Sequence, residues 1–306
     1  MKPLNEEKHD TDLKPFSEKG VYGYKNKESE EVEVPCTYEN AKDFSEGMAR
    51  VKQNGLYGYI DTKGSLVIPC KFKDALRFIG GMAAVMVDAT WGFINKAGKM
   101  VVKPIYSRIL SFSEGLAPVK KKNKWGYIHS DGTVAIPFKY DIADPFREGM
   151  ARVKLGEKSG FINPDGSIAV PFKYDKITDF ISGYAIVEID GLQGLINRKG
   201  KEIYACQSSY IELPFRDGIT IIKQEGKYGY IDEKGRTVLP CQYDSAGYFI
   251  NGRAEVVVGD EHMLIDQQGN VIEEKPTTPA NKKTTPKHIK QNNKTAPHTL
   301  RSCLFN

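Results

Sequence analysis

Tyr57-Gly58-Tyr59-Ile60-Asp61 decides how this chain folds, because the phrase returns along its whole length. It recurs as Trp91-Gly92-Phe93-Ile94-Asn95, Trp125-Gly126-Tyr127-Ile128-His129 and Tyr228-Gly229-Tyr230-Ile231-Asp232. Weaker copies begin at Tyr22, Ser159, Gln193 and His262. The second position of the phrase falls at 23, 58, 92, 126, 160, 194, 229 and 263, so each step is 34 or 35 residues. A second glycine series keeps the same step at Gly47, Gly81, Gly115, Gly149, Gly183, Gly218 and Gly252. Two series in phase define a tandem repeat, and a repeat decides the fold before any single element does.

Each unit reads as three short strands. The first follows the second glycine, as in Met48-Ala49-Arg50-Val51, and the second is the aromatic phrase itself. Both carry the alternation and the β-branched or aromatic bias of strands. The third follows a turn such as Asp61-Thr62-Lys63-Gly64 and runs Leu66-Val67-Ile68-Pro69. Its proline cannot donate to a ladder, so it should end the strand or lie at an edge. Short Gly and Asx connections predict an antiparallel meander. The unit then closes with aromatic pairs such as Phe72 and Phe78 or Tyr140 and Phe146, with Ala75 or Ala143 midway. Spacing of three and six predicts a tight helical or 3₁₀ turn there.

One such meander cannot bury its own apolar face, so neighbours must stack. The expected fold is all-β, an open solenoid-like superhelical array, with a closed β-propeller as the alternative. Propeller blades usually have four strands and about 40 residues, which favours the open form. The ends cut the other way: the first unit reads as lacking its first strand, and the strand at Gly252 to Val257 reads as an extra one. Together they could complete one blade. The expected organisation is an extension over 1–19, the array over 20–273 and a tail over 274–306.

The phrases resemble the WG repeat, a β-rich repeat found mainly in bacterial proteins. The resemblance rests on Trp91-Gly92, Trp125-Gly126, the Lys63-Gly64 and Lys234-Gly235 turns, Ile68-Pro69 and Ile136-Pro137. It rests also on Tyr140-Asp141, Tyr174-Asp175 and Tyr243-Asp244, and on Phe-Ser-Glu-Gly at 44–47 and 112–115. It covers about residues 20 to 272 and departs at Ser159 and Gln193, which replace the aromatic. It implies a bacterial interaction array and no catalytic residues.

Charge separates the tail from the array. From Lys275 onward there are six Lys and one Arg with no Asp or Glu, so of the net +5 the rest of the chain carries +5 − 7 = −2. A nucleic-acid footprint would therefore belong to the tail alone, and no specific nucleic-acid partner is expected. The tail is too polar to bury a core and is expected to be disordered, with weak, salt-sensitive attachment to an anionic surface as its sharper role. Residues 1 to 19 lack the apolar core of a signal peptide, and no stretch reaches the roughly 18 apolar residues of a span. The expected location is cytoplasmic. Cys36, Cys70 and Cys241 stand where Phe138 and Phe172 stand in other units, which reads as a small core position.

No catalytic motif emerges. His9, His129, His262, His288 and His298 have no metal-ligand spacing, and His129 reads as a solvated turn residue. There is no nucleophile elbow, phosphate loop or dinucleotide fingerprint, so neither a cofactor nor a metal is expected. The series Asp61, Asn95, Asn163, Asn197, Asp232 and Asp266 reads as turn caps. Candidate binding residues are the aromatics Tyr57, Trp91, Trp125 and Tyr228, which would form a ladder if exposed and core if buried. Glu46, Glu114 and Glu148 would form an acidic row if units stack in register, although Gly80, Ser182, Asp217 and Asn251 interrupt it. The function expected is a non-catalytic scaffold for a protein partner, with glycan or cell-wall polymer recognition through the aromatics as the alternative.

Overall fold

A computed structural model describes residues 12–275. Within them the chain forms eight antiparallel sheets in sequence order, the first three-stranded and the other seven four-stranded. The second is typical: Asn40–Ser45, Met48–Gln53, Leu56–Asp61 and Leu66–Phe72 pair in that order.

The extra strand in each unit corrects the expected helical turn. In the third unit Lys73 N, Leu76 N and Ile79 N donate to Met86 O, Ala84 O and Met82 O, and Asp74–Ala75 is a two-residue strand. Bonding every third residue to a neighbouring strand consumes the donors that a 3₁₀ turn would need. The spacing of three is real, and Phe72, Ala75 and Phe78 are all buried. It comes from an extended segment with a bend rather than from a helix.

The ends also differ from expectation. Leu13–Glu18 pairs with Val21–Asn26, so the first unit has its first strand, drawn from the extension assigned to 1–19. Phe16 faces Gly23 across the hairpin, as Val51 faces Gly58 in the next unit. The strand Arg253–Val258 belongs to its own sheet, which the strand Val271–Lys275 completes. Among the described residues no strand is left over to be shared between the ends.

Both faces of each inner sheet are buried, one on the sheet before and one on the sheet after, while the first and last sheets each have one neighbour. Ala83 and Val85 pack with Met48, Tyr59 and Ile68 of the second unit. Met82 and Ala84 pack with Ile109 and Val119 of the fourth. Among the described residues there are seven such core clusters, each uniting two consecutive sheets. Eight sheets in a row have seven interfaces and a ring would have eight, so the array is open.

The repeated phrase holds each sheet together. Tyr57 pairs with Phe72 and Tyr59 with Ile68, so two steps on one strand oppose four on the other. The outer strand therefore bulges at Pro69 and Cys70 and crosses close over Gly58. A Cβ there would lie 2.5 Å from Ile68 O and 2.7 Å from Cys70 N. The proline runs within the strand rather than ending it, on the outer edge, where its missing donor costs no bond. The cysteines occupy this bulge and are half-buried rather than core.

Tyr59 carries the core role. Its ring is fully buried edge-on to Phe78, with centroids 4.9 Å apart, and its hydroxyl donates to Leu76 O at 2.6 Å. Tyr127 and Tyr230 repeat this geometry with Asp144 O and Gly247 O. Each therefore joins apolar burial to a satisfied hydroxyl across a unit boundary.

Two tests follow from this packing. Gly58→Ala should lower the unfolding midpoint by an amount worth about 1–3 kcal/mol, since backbone must move to admit the methyl. Met263→Ala, at the equivalent place where the bulge is missing, should be far milder. Urea titration of both variants reads the difference. Truncation after Ser208, which removes the last two sheets at a sheet boundary, should leave a soluble, cooperatively unfolding chain with a reduced midpoint.

Candidate functional site

The first aromatics of the phrase are neither a free ladder nor plain core. Tyr57, Trp125 and Tyr228 are half-buried, while Trp91 is buried at 9% exposure. All four rings face the next unit, with one side on the core clusters. Cations cover two of them: Arg50 and Lys52 lie 5.0 and 5.5 Å from the Tyr57 centroid, and Lys223 lies 4.5 Å from that of Tyr228. Such contacts contribute about 0.5–1 kcal/mol at exposed sites.

One of these rings, Tyr228, and the Ser159 that replaces another line clefts between successive units. In the seventh unit the cross-strand row is Tyr210, Lys223, Tyr228 and Tyr243, each opposite the next. Its first three members face Ser245, Ala246, Gly247 and Tyr248 of the last unit across a cleft of about 570 Å³, while Tyr243 is buried. Lys223 Nζ donates to the Tyr228 hydroxyl at 3.3 Å. Arg216 stacks on Tyr248 at 4.3 Å, and burial together with the Glu212 carboxylate pushes the Tyr248 hydroxyl pKa up. In the fifth unit Ser159 stands in the aromatic place, and the cleft is smaller, about 240 Å³. Arg152 spans it, with Nε 2.8 Å from Asp144 and Nη1 donating to Ile177 O at 3.0 Å.

The acidic row does not present free carboxylates. Glu46, Glu114 and Glu148 have φ near +52° and are followed by Gly47, Gly115 and Gly149 at φ near +80°, a tight hairpin turn. Glu46 accepts from Gly80 N and Gly81 N at 2.6 and 2.8 Å, and Glu114 accepts from Gly149 N at 2.9 Å. Each holds the matching turn of the next unit. Asp217 does the same to Gly252 N, and Glu148 pairs with Arg198. The preceding serines add a second tie, since Ser45 and Ser113 donate to Phe78 O and Phe146 O at 2.6 Å.

The other carboxylates also hold turns. Asp61 accepts from Lys63 N and Ser65 N, and Asn95, Asn197, Asp232 and Asp266 make the same pair of bonds. His129 is exposed, and Asp131 caps that turn instead. Among the described residues no cluster of three His, Cys, Asp or Glu could hold a metal. Burial raises the thiol pKa of Cys70, Cys206 and Cys241. The strongest candidates in the final cleft, Tyr210, Tyr248 and Glu212, were not singled out by the sequence reading. Their signal was available, because Tyr210 and Tyr248 occupy places where every other four-stranded unit lacks an aromatic.

A family described as WG containing repeat matches seven times, at residues 22–57, 57–90, 91–125, 125–158, 160–192, 194–228 and 228–261. The chain belongs to the WG-containing repeat family. No curated protein matches it. Solved structures similar to this WG-repeat chain include a eukaryotic initiation factor, at 11% identity and TM-score 0.42, covering 86% of this chain and 85% of that one. Kluyveromyces lactis Hsv2 matches at 11% identity and TM-score 0.37, covering 81% and 90%. The dihydro-heme d1 dehydrogenase NirN matches at 13% and 0.37, covering 90% and 76%. At these scores the likenesses carry no argument about fold or function. No helix among the described residues is long and apolar enough to cross a membrane.

The Tyr-Asp pairs of the WG repeat make the array sensitive to acid. Lys124, Lys158 and Lys227 donate to Asp141, Asp175 and Asp244 and hold those carboxylates below the usual range. Amides of the next unit's hairpin, Gly156 N, Asp190 N and Gly259 N, add to the effect. A carboxyl with a depressed folded pKa contributes stability that is present above its unfolded pKa of about 3.9. That contribution is lost as pH falls through the folded value. The thermal midpoint should therefore drop between pH 5 and pH 2, and Asp175→Asn should flatten the drop. A melt series across that range measures both.

Proposed function

We propose that this WG-repeat array is a non-catalytic scaffold that docks a protein partner on the face where the inter-unit clefts open. The reading is carried by the half-buried rings of Tyr57, Trp125 and Tyr228, which lie two and three units apart, each opposite a lysine on the neighbouring strand. Half-buried aromatics with one free side supply rigid contact area at low entropic cost, and such residues dominate interface energetics. The carboxylates that would otherwise suggest acid–base chemistry are engaged in holding turns, which supports the non-catalytic part. Reproducible turnover abolished by one fold-preserving substitution would overturn that part.

Glycan recognition is the second reading, favoured by the same rings, since a flat aromatic side suits the apolar face of a sugar. One experiment separates them. A chain carrying Tyr57→Ala, Trp125→Ala and Tyr228→Ala is compared with the unmodified chain in partner capture and in co-sedimentation with insoluble polysaccharide. Loss of a captured protein by tenfold or more, with no polysaccharide retention by either chain, supports the scaffold. Retention of polysaccharide by the unmodified chain alone supports the glycan reading. Unchanged capture by the triple variant would remove the aromatics from the interface.

A further inference from the structure

The cleft between the last two units is unlike the others in three respects. Tyr210 and Tyr248 stand where the other four-stranded units have Asn40, Asp74, Arg108, Ile142, Lys176 or Ser245, and Asp43, Arg77, Ser111, Pro145, Asp179 or Leu213. The facing wall is small, Ser245-Ala246-Gly247, where other units carry longer side chains such as Lys176-Ile177-Thr178. Glu212 on its rim has no ion-pair partner among the described residues, although lysines elsewhere in the array pair freely with carboxylates. The result is a slot walled by three tyrosines, with Glu212 against the Tyr248 hydroxyl and Lys223 beside Tyr228. Tyr210 is 40% exposed at its mouth.

The chain itself supplies a segment of that chemistry. Beyond the last described strand it continues with Pro276-Thr277-Thr278-Pro279, then Lys282-Lys283-Thr284-Thr285-Pro286-Lys287. Proline-spaced segments favour the polyproline II form, whose rings lie flat against aromatic grooves and whose backbone needs no ladder partner. The tail from Lys275 onward carries six Lys and one Arg with no Asp or Glu. Since Lys223 lines the cleft with Glu212 and Arg216 stacks on Tyr248, its fit rests on the prolines and the tyrosines rather than on charge.

The exit point is close. Ser245, Val257, His262 and Lys275 form one cross-strand row, so the tail leaves three strands from the cleft wall. Three strand spacings are about 14 Å. A ten-residue extended segment spans about 33 Å, so Pro279 to Lys287 reaches the cleft without strain.

We infer that the segment around Pro279 to Lys287 of the same chain docks in the cleft formed by Tyr210, Tyr228 and Tyr248, with its prolines against the tyrosine rings. A short tether gives an effective concentration of about 1 mM. A site with an intrinsic Kd of about 0.1 mM is then roughly 90% filled, a tenfold excess of docked over free tail. The contact is read in the isolated chain, so it is independent of whether the partner capture above succeeds.

The test is the rate of trypsin cleavage after Lys282 and Lys283 in the full chain. Cleavage should be about tenfold faster in Tyr210→Ala and in Pro279→Ala/Pro286→Ala, with Tyr210→Phe retaining most of the protection. The tail variant leaves the array untouched, so it decides the matter even if Tyr210→Ala disturbs the fold. Equal rates in the unmodified chain and the tail variant would overturn the proposal. Protection that rises with protein concentration would overturn the intramolecular form and assign the contact to a second copy. A soluble chito-oligosaccharide that perturbs the cleft tyrosines while leaving the tail cleavage rate equal in all chains would assign the cleft to a sugar instead.

Discussion

The close approach of the bulged outer strand to Gly58 is the constraint on which each unit depends. An extended residue with any side chain would collide with Ile68 O and Cys70 N. Without the crossing, Ile68 and Phe72 could not both oppose the same short stretch of the phrase. The chain contains its own controls. In the sixth unit Ala205 replaces the proline, yet the bulge persists and so does Gly194. In the last unit the bulge between the first and third positions of the phrase is missing, and Met263 takes the glycine's place. Glycine therefore follows the bulge rather than the proline. The proline is a favourable occupant of an edge that has no donor to lose.

A second close approach joins units. The glycine of the turn that follows the phrase lies against the preceding unit, so that a Cβ on Gly98 would sit 3.3 Å from Ile68 and one on Gly132 3.3 Å from Val102. Around these contacts lie the ties from Ser45, Glu46, Ser113 and Glu114 to the next turn. Each neutral hydrogen bond contributes about 1 kcal/mol and each exposed ion pair less. The array is consequently a sum of many modest neighbour terms on a continuous apolar stack. Residues that looked like an acidic binding row are part of that stacking.

Once these structural demands are met, few side chains remain with unspent chemistry. Tyr57, Trp125 and Tyr228 stay half-exposed while Trp91 is buried, and Lys52 and Lys223 already partner two of them. The last cleft stands apart because it breaks the repeat at several places at once. Local departures from an otherwise consistent pattern mark places where a sequence serves something besides folding. Tyr210, Tyr248 and Gly247 are such departures.

The sequence by itself determined the period, the all-β class and most of the turn caps, although Asp165 rather than Asn163 accepts from Ser167 N in the fifth unit. It also located the long strands other than Leu13–Glu18, without their full extent past the proline. Those features are local: alternation, positive-φ turns and Asx caps are written within a few neighbouring residues. The tertiary structure decided what depends on contacts between distant segments. The aromatic pairs Phe72 and Phe78 have a spacing that suits a 3₁₀ turn as well as a bent strand, and only hydrogen bonds to Met86 and Ala84 separate the two. Phe16-Ser17-Glu18 looks like the start of a turn phrase, and only its pairing with Val21–Asn26 makes it a strand. Whether Tyr57 is ladder or core depended on the unit beside it, and the answer is half of each. Open or closed was a matter of counting interfaces, which no single unit contains.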